Sequence, residues 1–134
     1  MAERHARGLL DTSVVIDLEL IPEDKLPLQS AVAAITLAEL GAGVHTTRDA
    51  GERGARLTRL QVVEATIVSL PFDAAAARHY SHLVSLVVSA GQKHRPRRVD
   101  LLIAATARAN GLPMYTRNPK DLRSVRRAVS IVSV

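Results

Sequence analysis

Apolar residues along this chain come in short blocks, separated by longer stretches in which they recur at helical spacing. The blocks at 8–10, 32–35, 66–70, 113–115 and 129–132 are aliphatic or β-branched and predict buried strands. Between them 36–44, 50–64, 73–89 and 99–110 predict helices, the last with Val99, Leu102, Ile103 and Thr106 on one stripe. Strand and helix alternating across short connections predict an α/β fold, a mostly parallel sheet with helices on both faces. Segments 22–27 and 92–96 are bounded by turn formers and predict loops, while Asn110 and Gly111 before Pro113 predict a helix stop. No repeat, low-complexity tract or polar linker divides residues 1–134, so a single domain around one core is expected.

A parallel sheet places its strand C-termini and helix N-termini along one edge, which is where such folds bind ligands. Residues at those positions converge there from distant parts of the chain. Asp11 ends the first apolar block, Glu39 lies in the first turn of the helix predicted from Thr36, and Asp100 opens the helix predicted from Val99. Asn118 and Asp121 follow the block at 113–115 and belong to the same edge. Each also has a capping explanation, since helix N-termini favour acids. Thr36 and Glu39 have the spacing of a capping box, and Asn118 with Pro119 resembles an N-cap followed by a first-turn proline. Gathered in one cleft, however, such carboxylates repel by about 4 kcal/mol per pair at about 4 Å and an effective dielectric near 20. A divalent cation relieves that repulsion. With no cysteine and no helical histidine pair spaced for zinc, all-oxygen donors favour Mg²⁺ or Mn²⁺.

Composition narrows the picture further. The aromatic residues are Phe72, Tyr80 and Tyr115, so the core is aliphatic, and the absence of cysteine excludes disulfides and thiolate nucleophiles. No uninterrupted apolar run is long enough to span a bilayer, and a soluble, cytoplasmic protein is expected. Lys and Arg exceed Asp and Glu by 18 to 13. The excess gathers at Lys93, Arg95, Arg97 and Arg98, and again at Arg117, Lys120, Arg123, Arg126 and Arg127, on either side of the third acid's segment. Beside an acidic, metal-binding edge these patches suit a polyanion such as RNA. Thr12, Ser13 and Thr116 have hydroxyls that can support the site, Ser13 also being placed to cap a following helix. His5, His45, His79, His82 and His94 show no motif spacing and receive no chemical role.

The segment Leu9-Leu10-Asp11-Thr12-Ser13-Val14-Val15-Ile16-Asp17 resembles the opening motif of PIN-domain nucleases. Ile35-Thr36-Leu37-Ala38-Glu39-Leu40 is similar to the second motif, the stretch from Arg98 through Asp100 to Ala107 to the third, and that from Tyr115 to Leu122 to the fourth. Four motifs in order identify the chain as a member of that family, with a PIN-like fold. Its short form resembles the VapC-type toxins of bacterial toxin and antitoxin pairs. That resemblance implies metal ligation by Asp11, Glu39 and Asp100, and endonucleolytic cleavage of RNA, transfer or ribosomal, with Mg²⁺ or Mn²⁺. It also implies a homodimer and a cognate antitoxin whose tail fills the acidic cleft. Where many relatives carry a fourth aspartate this chain has Asn118, so Asn118 and Asp121 are the secondary candidates.

Two other classes compete. A PIN-like module that binds RNA or a protein without cutting fits the neutral Asn118, but not the three retained acids. An acyl-phosphate enzyme with Asp11 as nucleophile expects a second aspartate two residues later, where Ser13 stands. For partner contacts the helices at 50–64 and 73–89 are the candidates, set against ordinary core packing on one face and solvent on the other.

Overall fold

The computed structural model describes residues 4–134. At its centre is β1 (Arg7–Leu10), flanked by β2 (Gln29–Ala33) and β4 (Met114–Thr116), with β3 (Val68–Leu70) and β5 (Ile131–Ser133) outermost. The strand order is β3-β2-β1-β4-β5 and every pairing is parallel. Side chains alternate between the faces of a strand, and Leu9 and Leu10 are both fully buried, so β1 is covered on both sides.

Register carries that alternation across the sheet. Leu9 pairs with Ala31 and Met114, and this face packs on Leu83 and Val87 of α4 (Ala74–Ser89) and on Leu101 and Ile103 of α5 (Arg98–Ala109). Leu10 pairs with Val32 and Tyr115, and the opposite face packs on Val14 of α1 (Thr12–Ile16), Leu40 of α2 (Ala34–Val44) and Val63 of α3 (Ala50–Thr66). The α/β architecture read from the sequence, a parallel sheet between two helical layers, is the one observed.

Several boundaries move, each for a local reason. The strand expected at 32–35 begins at Gln29 and ends at Ala33, because Gln29 and Ser30 pair with Arg7 and Gly8 near the sheet rim and so bear no apolar signal. Ile35 therefore lies in α2. The strand expected from Thr66 starts at Val68, since α3 extends to Thr66, whose hydroxyl donates to the Val62 carbonyl at 2.6 Å. The last strand starts at Ile131, later than the expected Val129. Asp49 and Asp73 cap α3 and α4, accepting from the backbone of Glu52 and Ala76. The loops at 22–27 and 92–96 contain single 3₁₀ turns, Glu23–Lys25 and Arg95–Arg97. The helix stop is as expected: Gly111 takes a φ of 64°, and Leu112 N–H reaches the Ala107 carbonyl at 2.9 Å.

Candidate active site

The chain leaves β1 for β2 on one side and reaches β4 only later on the other, so the sheet order reverses between β1 and β4. Open parallel sheets bind ligands at such a switch point, beyond the strand C-termini. Asp11 stands there, directly after β1, and is 3% exposed. It caps α1: its Oδ1 accepts from Thr12 N–H at 2.8 Å. Its Oδ2 accepts from Ser13 Oγ at 2.9 Å and, across the switch point, from Thr116 Oγ1 at 2.8 Å. The expected cap role of Ser13 thus falls to Asp11, and Ser13 instead bridges Asp11 to the Arg117 N–H, which donates to it at 3.2 Å.

Glu39 lies a full turn inside α2, not in its first turn, because the helix begins at Ala34. The capping box expected of Thr36 and Glu39 is therefore absent. Thr36 is fully buried within the helix, and its Oγ1 lies 3.0 Å from Thr12 Oγ1. Thr12 Oγ1 in turn donates to Glu39 Oε1 at 2.5 Å. Hydroxyls from α1, α2 and β4 thereby orient two of the acids, a role that for Thr36 no sequence spacing announces.

Asp100 stands in the first turn of α5. Its carboxyl is pushed up from 3.8 to about 6, first by burial and then by the negative charges of Asp11, Asp121 and Glu39. Asp11, Asp121 and Glu39 are thus each within electrostatic reach of Asp100. Asp121 lies in the 3₁₀ helix Pro119–Val125, and Asn118 precedes it, its backbone N–H donating to Thr116 Oγ1 at 3.0 Å while its side chain caps nothing.

Asp11, Glu39 and Asp121 each make ionisation of Asp100 more costly, and carboxylate oxygens are the donor type that Mg²⁺ or Mn²⁺ takes. Among the described residues no group of three acids or histidines lies close enough together to hold a metal ion. Mg²⁺ does not ask for such a group, since it commonly keeps several waters and takes only one or two protein carboxylates.

The basic residues divide. Lys93, which is exposed, and the half-buried Arg97 line a cleft with Asp121, while Arg95, Arg98 and Lys120 are exposed outside it. Arg117 is ion-paired, its Nε 3.3 Å from Asp17 Oδ2, which ties the end of β4 to α1. No helix among the described residues is long and apolar enough to cross a membrane.

No family model matches the chain. Among curated proteins, the ribonuclease VapC5 of Mycobacterium tuberculosis is 36% identical over 121 residues, covering 88% of this chain and 87% of the relative. The chain belongs to the VapC ribonuclease family. A ribonuclease VapC of Rickettsia bellii is 30% identical across 87% of this VapC-type chain. Among solved structures, VapBC-5 of M. tuberculosis, a member of the VapBC family of toxin-antitoxin systems, superposes with a TM-score of 0.81 at 33% identity. That match covers 96% of this chain and 99% of the other. FitAcB of Neisseria gonorrhoeae matches with a TM-score of 0.71 at 28% identity. The PIN-like fold and the VapC-type assignment drawn from the four motifs agree with these relatives.

Proposed function

We propose that this VapC-type chain is an endoribonuclease toxin that works with Mg²⁺ or Mn²⁺ and is restrained by a cognate antitoxin. The observation that carries the reading is the gathering of Asp11, Glu39, Asp100 and Asp121 where β1 and β4 part, in a chain whose relatives are named ribonucleases. Asp11, Glu39 and Asp100 would hold the cation, with Asp121 beside them in preference to the neutral Asn118. A bound cation supplies neutralisation of phosphoryl charge and a more acidic attacking water. The chain's own work is orientation. Ser13 and Thr116 set Asp11 Oδ2, and Thr12 sets Glu39 Oε1, so two carboxylates are aimed before substrate arrives. Lys93, Arg95, Arg97, Arg98 and Lys120 hold the RNA backbone, with the ion-paired Arg117 the least free to do so.

The antitoxin's tail is expected in the acidic cleft, and the groove between α1 and α3 is the favoured seat for the rest of it. The groove encloses about 470 Å³ between Val15, Ile16, Leu18, Val62 and Val63, and leaves Ile16 and Val62 about half exposed. In α4, Ala76, Leu83 and Val87 are spent on the core and Val88 is left exposed. The chain is further expected to pair as a homodimer.

The test is to incubate antitoxin-free protein with transfer RNA and ribosomal RNA fragments in Mg²⁺, Mn²⁺ or EDTA, beside Asp100→Asn. Discrete, metal-dependent cuts that vanish in the variant support the nuclease. RNA binding without cleavage, indifferent to metal and to the variant, would replace it with a non-catalytic RNA-binding module.

A further inference from the structure

Beside the acid cluster lies a second cleft, of about 400 Å³, lined by Gln92, Lys93, Pro96, Arg97 and Asp121. Asp121 belongs to both, being one of the charges that act on Asp100, so the cleft adjoins the acidic centre. Its two cations have no carboxylate within ion-pairing distance among the described residues. The loop that carries them is nevertheless built. Arg97 Nη1 donates to the Lys93 carbonyl at 2.6 Å, which closes the 3₁₀ turn on itself, while the buried Arg97 Nε–H is left without a partner. Gln92 is fixed from a different element: the Ser124 hydroxyl, on the 3₁₀ helix after β4, donates to Gln92 Oε1. That bond leaves the amide NH₂ as a donor.

We propose that this cleft is a subsite for one RNA backbone phosphate adjoining the bond to be cut, with Lys93 and Arg97 supplying charge and Gln92 a neutral donor positioned by Ser124. The inference rests on the ribonuclease reading for its substrate class. Two cations against one carboxylate give the cleft a net positive charge, and the Lys93 ammonium and the Gln92 amide are N–H donors of the kind that phosphate oxygens accept from. Gln92 and Ser124 lie outside the four family-like motifs and become a pair only through the fold.

Binding of a short, labelled single-stranded RNA is measured by fluorescence anisotropy across a salt series, with Asp100→Asn present throughout to keep the RNA intact. Lys93→Gln and Arg97→Gln should each weaken binding about tenfold and flatten the slope of log K against log salt by about 0.7. Gln92→Ala should weaken binding about threefold with the slope unchanged, because no charge is lost. Ser124→Ala should cost part of that, and the Gln92→Ala/Ser124→Ala pair no more than Gln92→Ala alone. Lys93→Gln removes no bond internal to the loop, so it remains informative should Arg97→Gln disturb folding. Arg48→Gln, at an exposed position between α2 and α3, should match the unsubstituted background. An unchanged slope in Lys93→Gln, or no RNA binding by the parent protein, would overturn the subsite. The nuclease reading is judged separately on the Mg²⁺ gel. A chain that cuts while its slope ignores Lys93 loses only the subsite, and one that binds through the cleft without cutting loses only the nuclease.

Discussion

Asp100 bears the electrostatic consequence of gathering four carboxylates at one edge, and its titration makes that measurable. Its pKa of about 6 in the fold, against 3.8 ordinarily, means the folded chain favours the protonated acid. Stability from this group is therefore intact below about pH 4 and is lost as the pH rises through about 6. Because the side chain stays partly open to solvent, the loss should be about 1 kcal/mol, well short of the full shift. Without divalent cation, Asp100→Asn should melt roughly 3 to 5 °C above the parent near pH 7.5 and level with it near pH 4. Added Mg²⁺ should lift the parent and not the variant. A calorimetric scan in which the two proteins differ equally at both pH values would refute this account. At Thr116 the prediction is different in kind. Thr116→Val keeps the buried shape but removes a donor to Asp11 Oδ2 and the acceptor of the Asn118 N–H, so cleavage should fall about 10- to 100-fold while stability falls by about 1 to 3 kcal/mol. Comparing kcat with thermal midpoints separates the two effects. The places of Asp11 after β1 and Asp100 in the first turn of α5 were legible because strand ends and helix starts share an edge, whereas Glu39 was expected in a first turn and sits a full turn inside α2. Thr36, Gln92 and Ser124 were not legible, since a buried threonine and a surface amide have no meaning until another element supplies their partner.

Among the elements, β1 depends on a residue it lacks. A Cβ at Gly8 would stand 2.5 Å from Cε1 of the Tyr115 ring and 3.1 Å from Pro27, and Tyr115 is buried in the core on α1, α2 and α3. Gly8→Ala should therefore cost about 1 to 3 kcal/mol, seen as a lower midpoint in urea with an unchanged m-value. The long helices were readable because their apolar stripes repeat and aspartates precede α3 and α4. The five-residue α1 was not marked by spacing, since Val14, Val15 and Ile16 continue the apolar run of β1 and periodicity cannot divide so short a stretch. Likewise the start of β2 was hidden, for Gln29 is exposed and Ser30 only half-buried, and their strand conformation comes from pairing with β1.

For the molecule as a whole, charge and apolar surface address different partners. The formal net charge of +5 should make RNA binding strongly salt-dependent, and capture at the groove between α1 and α3, whose lining has one acid, Glu19, and one base, Arg59, should depend on salt far less. Val62→Asp should weaken capture of the cognate antitoxin by at least about tenfold, read by titration calorimetry, with the circular dichroism spectrum unchanged. The bond from Thr116 to Asp11 has a further consequence, because it joins residues 105 positions apart. Contacts of such high sequence separation form late, after the intervening loop has been closed. During synthesis, β1, β2 and β3 leave the ribosome well before β4, so a nascent chain carries Asp11 without the strand that orients it and without Asp121. The arrangement around Asp11 is complete only once β4 has docked, so it belongs to the finished molecule and not to the chain still being made.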